Sequence, residues 1–213
     1  MKTVQQFRLI LLWLGLALAV NAEDADVELG VRSGISAGNG TPANDVVSAG
    51  VQLRWAQSED WYIGVEFSSD TFDFERPATL LGIQQTHAVA TIDAKVHQQN
   101  VYFWFERRHG EEEAGQWFYM YGLGWGRPDV SDASGATESG GTFYLTTKAA
   151  NEAIVWAGAG YRVVWGQSWL AHASLRAEYR NTDYKISDDL SQQTGSVGAW
   201  TLLGLDVALT FLF

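Results

Sequence analysis

The chain has 213 residues, with 14 Lys and Arg against 25 Asp and Glu and no Cys. That acidic balance disfavours nucleic acid and anionic lipid headgroups as partners, since phosphate binding needs clustered Lys and Arg. The missing thiols leave no disulfide framework to stabilise an exported fold.

Lys2 and Arg8 precede a continuous apolar run from Leu9 to Val20, and Val20-Asn21-Ala22 offers small residues before the acidic Glu23-Asp24. This is the pattern of an export signal, and the run is shorter than the roughly 20 apolar residues of a membrane-spanning helix. Residues 1–22 are therefore read as a cleaved signal peptide and residues 23–213 as one domain. No later stretch is apolar over a helix length. If this chain enters a membrane, it does so as a closed sheet whose backbone groups satisfy one another.

Ten Trp, ten Phe, eight Tyr and 22 Gly beside three Pro suit strands, and period-2 alternation recurs in segment after segment. The first strand, about Asp26–Ser36, puts Val27, Leu29 and Val31 on one face and Glu28 and Arg32 on the other. The second, about Val46–Trp55, sets Val51, Leu53 and Trp55 against Gln52 and Arg54. The third starts at Trp61, with Ile63, Val65 and Phe67 opposite Glu66, and the fourth ends near Arg107 with Val101, Phe103 and Phe105 outward. The fifth, about Gln116–Gly126, points Trp117, Tyr119, Tyr121, Leu123 and Trp125 outward; the sixth, about Glu152–Trp165, does so with Val155, Ala157, Ala159, Tyr161 and Val163. In the seventh, Ala171, Ala173, Leu175, Ala177 and Tyr179 alternate with His172, Ser174, Arg176, Glu178 and Arg180. In the last, Leu203, Leu205, Val207, Leu209, Phe211 and Phe213 alternate with Leu202, Gly204, Asp206, Ala208 and Thr210. A soluble sandwich would neither bury the charged faces nor expose the apolar ones. The pattern predicts an all-β fold, an eight-stranded antiparallel up-and-down transmembrane β-barrel.

Connections alternate in length. Short turns fall at Ala56–Asp60 and Gly166–Ser168, with a moderate one at Arg108–Gly115; longer loops fall at Ser69–Lys95, Arg127–Ala150 and Lys185–Ser196, with Ala37–Asp45 the shortest of that set. Short periplasmic turns and longer extracellular loops are the habit of bacterial outer membrane barrels, so both termini are expected in the periplasm. Trp55, Trp61, Trp117, Trp165 and Trp169 cluster at the short turns with lipid-facing parity, an expected aromatic girdle at the membrane–water interface.

Ser174-Leu175-Arg176-Ala177-Glu178-Tyr179-Arg180-Asn181-Thr182-Asp183-Tyr184, the preceding Ala157-Gly158-Ala159-Gly160-Tyr161-Arg162 and the final Phe213 resemble the last strands of small opacity-type, porin-like outer membrane β-barrels. The resemblance covers about sixty residues and departs at Asn181, where that family often carries an aromatic. It implies an eight-stranded barrel inserted by the outer-membrane assembly machinery, with Phe213 as the assembly signal, and implies no enzyme activity.

The inward set Glu28, Arg32, Arg54, Glu66, Arg162, Arg176, Glu178, Arg180 and Asp206 predicts a polar network filling a narrow lumen, with Arg176 facing Asp206 and room made by Gly122, Gly124, Gly158 and Gly160. A packed polar core is preferred to a gated ion path, because buried charges must be paired. Ile154, Trp156, Trp200 and Leu202 form a possible apolar site in the upper lumen, above the charges, for a small hydrophobic ligand. His172, Ser174 and Glu178 share a face, but that face points away from lipid and no oxyanion donors accompany it. No catalytic residue, metal site or cofactor is expected. Acidic loop residues Asp70, Asp73, Asp188 and Asp189 are candidates for bridging divalent ions to lipopolysaccharide phosphates. The expected protein is a monomeric, non-enzymatic, envelope-structural or surface-exposed barrel with outer membrane lipids and lipopolysaccharide as partners. The rivals are a narrow channel or carrier for small solutes and, further off, a lipid A-modifying enzyme.

Overall fold

The computed structural model describes residues 27–39, 43–81, 87–111, 115–131, 133–137, 142–149, 151–165, 168–181, 184–187 and 199–213. The expected signal peptide and Asp188 and Asp189 lie outside the described residues. The strands in chain order are β1 (Val27–Asn39), β2 (Ala43–Ala56), β3 (Trp61–Leu81), β4 (His87–His109), β5 (Gln116–Val130), β6 (Ala133–Thr137), β7 (Thr142–Ala149), β8 (Glu152–Val164), β9 (Trp169–Asn181), β10 (Tyr184–Ser187) and β11 (Trp200–Leu212).

Eight of them close on themselves. β1 pairs with β2, β2 with β3, β3 with β4, β4 with β5, β5 with β8, β8 with β9 and β9 with β11, all antiparallel. β11 then returns to β1, from Glu28 opposite Leu212 to Asn39 opposite Thr201. Every backbone group along the wall therefore has a neighbour on either side, the condition for a sheet surrounded by hydrocarbon. The shortest of the eight has 13 residues, more than the roughly 9–11 a tilted strand needs to cross a bilayer.

Parity sorts the side chains. Val31, Ile35, Val47, Phe103, Leu123, Leu175, Leu203, Leu205 and Val207 are exposed on the outside, while the alternate residues of β9 and β11 are buried inside. The outer wall is thus apolar and the inner wall polar, the reverse of a water-soluble barrel. At the end where the short turns lie, Trp117, Trp165 and Trp169 are exposed and Trp55 and Trp61 half-exposed. Trp117 packs on Tyr161 at 4.9 Å and Trp169 on Phe211 at 5.1 Å between ring centroids. Phe211 meets Phe213 at 5.1 Å, and the Phe213 N–H donates to the Val27 carbonyl at 3.1 Å.

The long loops depart from expectation. Most of Ser69–Lys95 is strand: β3 and β4 stay in register from Trp61 opposite Arg107 to Leu81 opposite His87, with 21 and 23 residues respectively. Arg127–Ala150 contains the end of β5 and the β6–β7 hairpin, and β10 adds to β7, so that a sheet β3-β4-β6-β7-β10 continues beyond the barrel. Outward positions Ser69, Thr71 and Asp73 of this extension are polar, so the apolar alternation disappears while the hydrogen-bond ladder continues. At the other end β4 runs on through Arg108 and His109, two residues expected in a turn.

Val207 is exposed on the outer wall and its neighbour Ala208 is buried. Arg on the lipid face near the midplane costs about 2–4 kcal/mol. Val207→Arg should therefore impair folding into vesicles, measured by heat-modifiable gel mobility, and a lipid-soluble thiol probe should label Cys placed at 207 and 209 but not at 206 or 208.

Candidate functional site

Closing eight strands leaves an interior that side chains fill, and here much of that filling is ionic. Arg32, Arg54, Arg108, Arg162, Arg176 and Arg180 face Glu28, Glu66, Asp70, Glu106, Glu152, Glu178 and Asp206, all of them buried. Each ion withdrawn from water costs several kcal/mol unless opposite charge and hydrogen bonds compensate it. The strand registers stack these groups in three tiers.

In the tier nearest the short turns, Arg108 from β4 donates twice to Glu28 of β1, at 2.7 and 2.9 Å, and once to Glu106 at 2.6 Å. Its guanidinium lies 3.2 Å from the Tyr62 ring centroid. Arg162 of β8 donates to the same Glu28 oxygen at 3.1 Å, and Arg54 of β2 sits 3.6 Å from Glu28 and 3.5 Å from Glu106. Arg54 also lies 3.1 Å from Nε2 of His172. Because an arginine only donates, that contact makes Nε2 the acceptor and assigns the proton of a neutral His172 to Nδ1.

In the middle tier, Arg32 grips both oxygens of Glu66, at 2.9 and 3.0 Å, and reaches Asp206 at 2.5 Å and the Ser48 hydroxyl at 3.1 Å. Arg176 contacts Glu178 at 2.6 Å and Glu66 at 3.8 Å. Its guanidinium is 4.1 Å from the Tyr102 ring centroid and 4.0 Å from that of Trp156. In the upper tier, Arg180 of β9 binds Asp70 of β3 at 2.6 Å and Glu178 at 2.6 Å, with Glu152 3.8 Å away. Glu152 accepts from the Trp200 indole at 3.1 Å and from the Gln98 amide.

One wall differs. Tyr102, Trp104, Phe118, Met120, Ile154 and Trp156, on β4, β5 and β8, form an apolar cluster. Glycines opposite make room for it: a Cβ on Gly122 would lie 2.8 Å from the Cβ of Trp104, and one on Gly124 2.5 Å from the Tyr102 ring.

No protein-family model and no curated protein matches the sequence. Solved structures do. The outer membrane protein OprG from Pseudomonas aeruginosa aligns over 89% of this chain and 95% of its own, with a TM-score of 0.57 and 9% identity. The chain has the fold of an eight-stranded outer membrane β-barrel. A major outer membrane protein from Thermus thermophilus aligns at a TM-score of 0.49 and 10% identity, over 88% of this chain and 99% of that one. Ail of Yersinia pestis aligns at 0.46 and 13%, over 89% and 97%.

Within this barrel several sequence expectations need correction. Arg176 and Asp206 do not pair with each other: the register sets Asp206 opposite Ser174 on β9 and Gly34 on β1, so Arg32, two residues from Gly34 on the neighbouring strand, takes it. Gly122, Gly124, Gly158 and Gly160, expected to make room for arginines, lie against Trp104, Tyr102, Met120 and Phe118. The apolar and ionic residues share strands: β4 carries Tyr102 and Trp104 before Glu106 and Arg108, and β8 carries Ile154 and Trp156 between Glu152 and Arg162. Ile154 and Trp156 belong to the cluster that reaches Phe118 near the short turns, whereas Trp200 packs on Phe72 at 5.4 Å beside buried Leu202 on β11. Asp70, expected on a surface loop, is buried against Arg180, while Asp73 is exposed. His172, Ser174 and Glu178 are all buried inside, with His172 held by Arg54 and Gln52, and Glu178 by Arg176 and Arg180. They form no nucleophile–base–orienter chain.

Glu106, Arg108 and Glu152 are absent from the sequence-derived set. Their parity is visible: Glu106 and Arg108 alternate with outward Phe105 and Arg107, and Glu152 precedes Ile154 and Trp156 by two and four positions. Among the described residues, no group of three or more His, Asp or Glu is placed to hold a metal ion.

Glu28 touches three arginines from three other strands. Glu28→Ala should cost about 3–5 kcal/mol, the penalty for stranding buried charge, and should lower the urea midpoint of the folded barrel in vesicles. Glu59→Ala, on an exposed turn, should leave that midpoint unchanged.

Proposed function

We propose that this protein is a non-enzymatic integral outer membrane barrel with an occluded lumen, serving the envelope as a structural or surface-exposed element. One observation carries the reading: the ion pairs cross the lumen. Arg108 joins β4 to β1, Arg176 of β9 approaches Glu66 of β3 at 3.8 Å, and Arg180 joins β9 to β3. Such pairs tie far walls together and leave water no continuous column at three successive heights.

The turn end of the barrel faces the periplasm and the β3-β4-β6-β7-β10 sheet faces the cell exterior, in keeping with short periplasmic turns. The aromatic ring of Trp55, Trp61, Trp117, Trp165 and Trp169 then serves as the periplasmic girdle. Outer membrane lipids and lipopolysaccharide are the partners of the apolar wall, and the barrel acts as a monomer. Buried His172 and Ser174 face the lumen, out of reach of a lipid ester.

Planar-bilayer recording tests the reading against a channel. The purified protein should give no steady conductance at neutral pH. A stable ohmic pore would replace the occluded barrel with the channel alternative.

A further inference from the structure

Six arginines of the barrel wall point inward, and each meets a carboxylate. Arg107 points outward. It follows Phe105 by two positions on the outer face of β4, at the rim where β4 meets its turn. Its guanidinium carbon lies 5.4 Å from the Trp61 ring centroid, and its Nε is buried without a hydrogen-bond partner. Two residues on, His109 stacks on Tyr119 with centroids 5.6 Å apart and planes at 26°. The registers make these neighbours: Trp61 lies opposite Arg107, Arg107 opposite Tyr119, and His109 opposite Trp117. The result is an aromatic shelf across β3, β4 and β5 bearing one permanent cation and one imidazole. Above the shelf Phe103, Phe105, Tyr121 and Leu123 face outward.

We infer that Arg107, with His109 beside it and Trp61 and Tyr119 as the shelf, binds the phosphate group of a periplasmic-leaflet phospholipid. The inference rests on the outer membrane reading above. A half-buried guanidinium on an otherwise apolar outer wall needs an anion, because a ring face lowers its energy without neutralising its charge. At headgroup depth the anion at hand is a phosphodiester, whose two free oxygens match the planar guanidinium fork. The apolar wall above takes the acyl chains of the same molecule, which free phosphate lacks. The acidity of the whole chain does not extend to this shelf. Of the acids near in sequence, Glu106 points into the lumen against Arg108, and Glu59, Asp60 and Glu111 sit on exposed turn positions, where water screens them.

The test uses the full barrel folded in neutral sugar-headgroup micelles doped with dimyristoyl phosphatidylglycerol, with lipid retention read by native mass spectrometry. Wild type should retain one lipid, and inorganic phosphate should not displace it. Arg107→Gln should weaken retention roughly tenfold, as expected for loss of a charge-assisted contact. Arg107→Lys, which keeps the charge but not the fork, should fall between the two. Equal retention by wild type and Arg107→Gln overturns the inference. Displacement by inorganic phosphate overturns the choice of a lipid. If Arg107→Gln does not fold, the comparison passes to Arg107→Lys, and unchanged retention there overturns it equally. Failure of the wild type itself to fold in micelles would instead reject the membrane reading on which the inference rests.

Discussion

A backbone N–H or C=O stranded in hydrocarbon costs several kcal/mol, so each strand of a lipid-facing wall must have a partner on both sides. Here that requirement is met by the return of β11 to β1. Closure at eight strands makes the interior narrow, and alternation obliges half of every strand to point into it. Those inward positions carry arginines, carboxylates and large aromatics, which must fit against one another because no wide water column separates them. The ion pairs, the aromatic wall and the glycines that receive it follow from the geometry of a small closed sheet.

The buried ion pairs serve specificity more than gross stability. Replacing a buried pair with well-packed apolar groups is often neutral or stabilising, so their energy alone does not account for them. Register does. A one-residue slip of any strand would turn its inward charges onto lipid. Because Arg32, Arg108 and Arg180 each bind carboxylates from more than one place, the slip would also unpair groups on distant strands. The ladder penalises misalignment from both sides of the wall.

How much of this is legible in the sequence depends on how local the signal is. Parity alone separates Leu205 and Val207 from Asp206, because period-2 alternation is a property of a single strand. Pairing within the lumen is not local. Arg176 and Asp206 lie on neighbouring strands and look matched, yet Arg32 claims Asp206 because β1 closes against β11 with Gly34 beside the carboxylate. The extent of β3 and β4 is hidden for another reason: with Ser69, Thr71 and Asp73 on the outward face, the apolar alternation that marks a strand is lost, though the ladder continues. Arg108 sits two residues before Gly110, whose φ of 110° makes a turn, and that turn signal masks the last residues of the strand.

The spacing of the lumen partners along the chain bears on how the barrel assembles. Asp206 is 174 positions from Arg32, Arg162 is 134 from Glu28, and Arg180 is 110 from Asp70. Contacts this remote cannot form until the intervening chain has been gathered, and the entropy of closing such loops is spent before the contacts return anything. A half-made barrel has an open edge and unpaired arginines at once, so it is poorly suited to both lipid and water. Folding is then a slow, late-committing event in which the last strand to arrive supplies the hydrogen bonds of closure and the counter-charge of the first.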